Sequence, residues 1–128
     1  MPIFIHACFL LAFAHVISDY MFTSDFIYNR MISSTTPKKD YLSIRRRAEE
    51  AHGLIAGFAV YVVCLHFNVR YAFAMAIIET ILHIIIDHHV HDEKKEHSHE
   101  FDQVLHYICK LMFALYISIT TITALHTS

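Results

Sequence analysis

Four long apolar stretches, broken by almost no glycine or proline, constrain this chain more than any other feature. They run from about Ile3 to Phe22, Ile44 to Phe67, Val69 to His88 and Ser98 to Leu125. Each holds roughly 20 residues or more, close to 30 Å as a helix. Two glycines and two prolines in 128 residues are too few to punctuate many short strands. The pattern predicts an all-α protein: one domain over 1–128, built as an antiparallel four-helix bundle. Gly53, Ala56 and Gly57 give the second helix a patch of small residues where a neighbour could approach closely.

Composition bears on the surroundings of that bundle. The chain is 55% hydrophobic and 17% charged, against about 25% charged in soluble proteins. Its formal net charge of −2 gives no support to a nucleic-acid partner. The runs are long enough to cross a bilayer, but each carries ionisable groups, so none reads as a clean hydropathy span. A charge at mid-membrane costs roughly 2.5–3.5 kcal/mol on insertion scales. Basic residues cluster at the first connector (Arg30, Lys38, Lys39, Arg45, Arg46, Arg47) and in the third (Lys94, Lys95), against Arg70 alone in the second. The positive-inside rule then places connectors one and three in the cytoplasm and both termini outside. The expectation is a transmembrane bundle in the cytoplasmic membrane, with lipid as its partner. A soluble cytoplasmic bundle with solvated loops is the alternative. IFIHACFLLAFAHVI has the length of a signal h-region, but it lacks a basic n-region and a small-x-small site, so no cleavage is expected. Cys8, Cys64 and Cys109 sit singly in apolar runs without a CxxC and are read as reduced core residues.

The polar residues inside the apolar runs follow a helical spacing. His15 and Asp19 are four apart, as are His83 and Asp87, and Asp102 and His106. Such pairs share one helix face. His15 and Asp19 fall late in helix one, His52 early in helix two, His83 and Asp87 late in helix three, and Asp102 and His106 early in helix four. An antiparallel bundle brings those four ends together, so all seven side chains can converge in one layer. Buried carboxylates need compensation, and a divalent cation shared between helices supplies it. Imidazole nitrogen and carboxylate oxygen suit zinc first, with manganese or iron as alternatives. Seven candidate ligands exceed one tetrahedral shell, so the site could hold one metal or two. Any one of these residues alone would read as ordinary buried hydrogen bonding.

Glu79 continues the stripe of His83 and Asp87 two turns deeper. It could be a further ligand, a proton-transfer group or a structural partner. His88, His89, His91, His97 and His99 alternate with charged residues and read as a solvated connector, with a metal-collecting loop as the alternative. Arg46 and its neighbours stand near the expected start of helix two, where cations oppose the helix dipole. They could meet anionic lipid headgroups or an anionic substrate at the metal mouth.

The segment AHVISDYMFTSDFIYNRM resembles the opening signature of a family of small bacterial and phage proteins, the domain of unknown function 3307. The resemblance rests on His15, Asp19, Tyr20, Ser24, Asp25 and Phe26; on His52-Gly53; on His83 and Asp87; and on Phe101, Asp102, Gln103 and His106. It covers about residues 9 to 115, and the order and spacing of its short motifs make the set moderately specific. Ser18 stands where the pattern expects glycine, and the His-rich third connector is unlike it. The resemblance implies an integral membrane protein. It is also similar to small membrane-bound metal-dependent hydrolases, a link by analogy. Asp25 and Gln103 enter through this resemblance alone, as residues that would orient a ligand or touch substrate.

The reading that joins these features is a membrane-embedded metal-dependent hydrolase acting on a phosphoester, such as a lipid headgroup or a nucleotide, near the cytoplasmic end of the bundle. Metals there would lower the pKa of a bound water and polarise a phosphoryl oxygen. A non-enzymatic metal-binding or metal-transport membrane protein is the alternative, since polar groups within spans often line ion paths. Haem ligation by paired histidines is a third reading, weakened by the accompanying aspartates.

Overall fold

The computed structural model describes residues 2–21, 38–90 and 99–127. They form four helices: α1 (Pro2–Met21), α2 (Lys38–His66), α3 (Ala72–Val90) and α4 (His99–Thr127). Among the described residues there is no strand. The chain is the expected all-α, antiparallel four-helix bundle. The helices form a ring in which α1 neighbours α2 and α4, and α3 neighbours the same two.

The second helix begins at Lys38 rather than near 44. The segment KKDYLSIRRR carries too few apolar residues to show a core stripe, so it reads as connector. Pro37 directly precedes it in the sequence, and proline is favoured at the first turn of a helix. This start corrects the reading of the arginines. Lys38 and Lys39 occupy the first turn, whereas Arg45, Arg46 and Arg47 lie well inside the helix, where the dipole no longer acts.

The link between α2 and α3 is a Schellman cap. Asn68 takes the left-handed conformation (φ 53°). The Val69 N–H donates to the Cys64 carbonyl at 2.9 Å and the Asn68 N–H to the Leu65 carbonyl at 3.0 Å. Val69 and Cys64 are both buried, which supplies the apolar contact such caps carry. The cap turns the chain back sharply, and α3 then packs close against α2. A Cβ on Gly57 would stand 2.6 Å from the Ala76 carbonyl oxygen, and one on Gly53 would stand 2.6 Å from Ile84 Cγ1. The small-residue patch is therefore a true close approach.

The interior divides in two along the bundle axis. The half nearest the α2–α3 link is apolar, built on Ala7, Leu11, Val60, Cys64, Val69, Met75, Phe113, Ala114 and Ile117. The other half is polar and contains His15, Glu79, His83, Asp87, Asp102, His106 and Lys110, all buried. The outer surface is apolar instead. Phe9, Phe13, Phe58, Phe73, Met112 and Leu125 are each more than half exposed. An exposed apolar belt of this extent marks a surface that meets lipid or a partner.

Three helices are long and apolar enough to cross a membrane, over Pro2–Asp19, Ala72–His89 and Glu100–His126. This corrects the expectation that no run would read as a clean span: charged residues are few within each run, Glu79 in the second and Lys110 in the third among them, and the apolar residues around them outweigh them. In α2, only the part from Ala51 onward is comparably apolar, because Lys38 to Glu50 is rich in charge.

Candidate metal centre

The i, i+4 stripes are what build the centre. On α3, Glu79, His83 and Asp87 share one face. On α4, Asp102, His106 and Lys110 share another. The two helices run antiparallel, so the stripes meet rung by rung. His106 Nε2 lies 3.1 Å from Asp87 Oδ1 and 3.4 Å from Asp102 Oδ1. The His83 and His106 ring centroids are 4.2 Å apart. At the deepest rung Lys110 Nζ donates to Glu79 Oε1.

From the other side, α1 and α2 close the layer. Asp19 Oδ1 lies 3.4 Å from His15 Nδ1, 3.3 Å from His52 Nε2 and 3.9 Å from His83 Nε2. All seven residues expected at the site are thus brought together. His15, His83 and His106 are each no more than 2% exposed, and the Asp19 side chain 12%. Span ends at Asp19, near Asp87 and near Asp102 put this layer at one boundary of the apolar belt.

Three sets of side chains have donor atoms that all lie within 4.8 Å of one another: Asp19 with His52 and His83; Asp87 with Asp102 and His106; and His15 with His83 and His106. The first two sets share no residue. Ligands bonded at about 2.0–2.1 Å to one ion stand roughly 3.0–4.2 Å from each other in tetrahedral or octahedral geometry. The 3.3 and 3.9 Å separations around Asp19 and the 3.1 and 3.4 Å separations around His106 fall in that range. His15 Nδ1, His52 Nδ1 and His83 Nε2 are buried without a hydrogen bond, which is costly for a polar atom unless some other partner engages it. The donor set therefore fits a divalent ion of the zinc, manganese or iron type.

Other expected residues fall into place around this layer. Gln103, expected only from the resemblance, links α4 to α1. His15 Nε2 donates to its Oε1 at 3.3 Å, and its Nε2 donates to Asp19 Oδ2 at 3.2 Å. Glu79 Oε1 also lies 3.3 Å from His83 Nδ1, so Glu79 stands behind His83 rather than beside the other ligands. Ser18, in place of the expected glycine, is buried and turns its hydroxyl onto the His15 carbonyl at 2.8 Å. Arg46 lies on the exposed side of α2, 3.4 Å from Glu50. His88 and His89, expected in a solvated connector, lie instead in the last turn of α3, and His99 opens α4. His88 and His89 are exposed, and His88 Nδ1 is 3.5 Å from the buried Glu49. Asp25, Ser24, Phe26, His91 and His97 lie outside the described residues. His6 and His66 pack edge to face, 5.3 Å between centroids, beside Phe67 at the opposite end. The cysteines are free thiols, Cys64 buried and Cys8 and Cys109 half-buried.

Lys110 is the residue that sequence reasoning passed over. Its signal was present: it continues the Asp102–His106 stripe by four more residues. A single lysine in an apolar run reads as a snorkelling side chain, and only the position of Glu79 across the interface reveals the pairing. No family model matches the chain, and neither a curated protein nor a solved structure matches it.

Proposed function

We propose that this chain is a membrane-embedded, metal-dependent hydrolase with two divalent-cation positions at the cytoplasmic end of its bundle. The observation that carries the reading is the pair of disjoint donor sets, Asp19–His52–His83 and Asp87–Asp102–His106, both buried or half-buried in one layer. Mixed imidazole and carboxylate sets of this kind suit zinc, and ions so placed would lower the pKa of a coordinated water and polarise a phosphoryl oxygen. Asp19, His52 and His83 hold one position; Asp87, Asp102 and His106 hold the other. Gln103 fixes His15 and Asp19 relative to α4. The substrate class that suits a site at the edge of an apolar belt is a phosphoester at the membrane surface, a lipid headgroup or a nucleotide. Arg46 and Arg47, exposed on α2 at the same end, are available to an anionic group. The same motif residues carry the resemblance to the 3307 family, and the basic connectors support a cytoplasmic-membrane location with both termini outside.

A resident ion is favoured over a transported one by the other half of the bundle. Below the polar layer the axis is filled by Leu11, Val60, Phe113 and Ile117, which offer a cation no ligands, and by the single thiol of Cys64, too few donors for a path of successive sites.

The test is to purify the chain in detergent, load it with zinc or manganese, and assay phospholipids and nucleotides beside a His83→Ala, Asp102→Ala variant. The expected result is metal retention with hydrolysis that the variant loses. A wild-type protein that retains no metal would end the reading. Metal retention with ion flux in vesicles and no hydrolysis would move it to transport.

A further inference from the structure

Two charged side chains outside the proposed ligand sets are buried within the spans. Glu79 is 1% exposed and Lys110 4%. Glu79 lies two turns below Asp87, about 12 Å deeper along α3. Each charge costs several kcal/mol to bury unless paired, and the two are paired with each other. Neutral side chains of similar volume would serve packing as well, so stability alone does not account for them.

Their geometry points to what they do. Glu79 Oε1 accepts from Lys110 Nζ and lies 3.3 Å from His83 Nδ1. An ionised carboxylate only accepts, so Nδ1 carries the proton and Nε2 is left with its lone pair. That Nε2 is the atom facing the centre, 3.9 Å from Asp19 Oδ1 and 3.7 Å from Asp87 Oδ2. It is buried and makes no hydrogen bond. A carboxylate behind a ligating histidine sets its tautomer and aims its ring. Here a second charge holds that carboxylate in turn. The pair is neutral as a unit, so it supplies direction to His83 without adding to the charge of the three aspartates.

We infer that Lys110 and Glu79 form a buried positioning relay that presents His83 Nε2 to a divalent cation. This rests on the metal-centre reading and adds a claim of its own: α4 reaches the first cation position through α3, from a residue that touches no ligand.

The experiment uses the full chain in detergent, with zinc affinity measured by competition against a chromogenic chelator, cobalt(II) absorption as a report on the ligand field, and circular dichroism as a check on the fold. The variants are Lys110→Met, Lys110→Arg and the charge-neutral double variant Glu79→Gln, Lys110→Met. The double variant is expected to keep its helicity, to lose roughly 10- to 100-fold in affinity at one of two positions, and to change the cobalt spectrum. Lys110→Arg, which keeps the charge beside Glu79, is expected to retain most of the wild-type affinity and spectrum. Two positions with unchanged affinity and spectrum in a folded double variant would overturn the relay while leaving the metal centre standing. Loss of helicity in the double variant would also overturn it, by assigning the pair a structural role. A wild-type chain that binds no zinc would overturn both.

Discussion

His106 Nε2 and Asp87 Oδ1 lie 3.1 Å apart across the α3–α4 boundary. Asp102, one turn before His106, adds its Oδ1 at 3.4 Å to the same nitrogen. Two carboxylates converging on one imidazole form half of the proposed centre, and the half is separable. Asp87→Ala should lower the zinc content of the purified chain from about two ions to about one. Asp19→Ala should do the same through the other set. Elemental analysis against protein concentration reads both. A double variant that still retains one ion, or a single variant that loses both, would show that the two sets are not independent.

The two glycines of α2 make different demands. A methyl at Gly57 meets the Ala76 carbonyl oxygen, which is helix backbone and cannot turn aside. A methyl at Gly53 meets the Ile84 side chain most closely, at Cγ1, and reaches backbone only at the Thr80 carbonyl oxygen, 3.1 Å away. Gly57→Ala should therefore cost about 1–3 kcal/mol by overpacking, and Gly53→Ala less. Thermal unfolding in a single detergent, followed by circular dichroism, compares them. Equal destabilisation would mean that α2 and α3 are not in the close register described.

How much of this was legible beforehand follows from what each feature depends on. His15–Asp19, His83–Asp87 and Asp102–His106 could be placed because a four-residue spacing fixes a helix face without any tertiary knowledge. Their convergence followed from chain order alone, since an antiparallel bundle has only two ends. The start of α2 was not legible, because KKDYLSIRRR has no apolar periodicity to betray a helix that reaches beyond the core. Nor was the role of Lys110. Its partner Glu79 is 31 residues away in sequence, and the pairing depends on the register between α3 and α4. The sharp return at Asn68 was visible only as a short connector, since the left-handed conformation belongs to the cap and not to the residue type.

Removal of the ions should loosen the polar half first. Asp19, Asp87 and Asp102 bring three carboxylates into one buried layer, where unpaired charge is costly. A ligand present at about 100 times its dissociation constant stabilises the folded state by about 2.7 kcal/mol. Stripping the chain with a chelator should lower its unfolding temperature, and zinc should restore it in a concentration-dependent way. The Asp19→Ala variant should show a smaller shift than wild type. An unfolding temperature indifferent to chelator and to zinc would mean that no ion contributes to the fold.

The orientation of the bundle carries the last prediction. The polar layer lies at the end where α1 and α3 finish and α2 and α4 lead into the bundle, and that end also carries Lys38, Lys39 and Arg45 to Arg47 on α2. The opposite end has Arg70 beside the α2–α3 turn, where its guanidinium sits 5.7 Å from the Tyr71 ring centroid. Basic residues near span ends favour the cytoplasmic side, so the metal layer should face the cytoplasm and Asn68 the outside. Single cysteines introduced at Arg46 and at Asn68, both exposed, in a chain whose three native cysteines are replaced by serine or alanine, test this in intact cells. A membrane-impermeant thiol reagent should label the position-68 variant and leave the position-46 variant unlabelled until the cells are opened. The reverse pattern would turn the bundle over and put its cation layer outside, where a cytoplasmic nucleotide could not reach it.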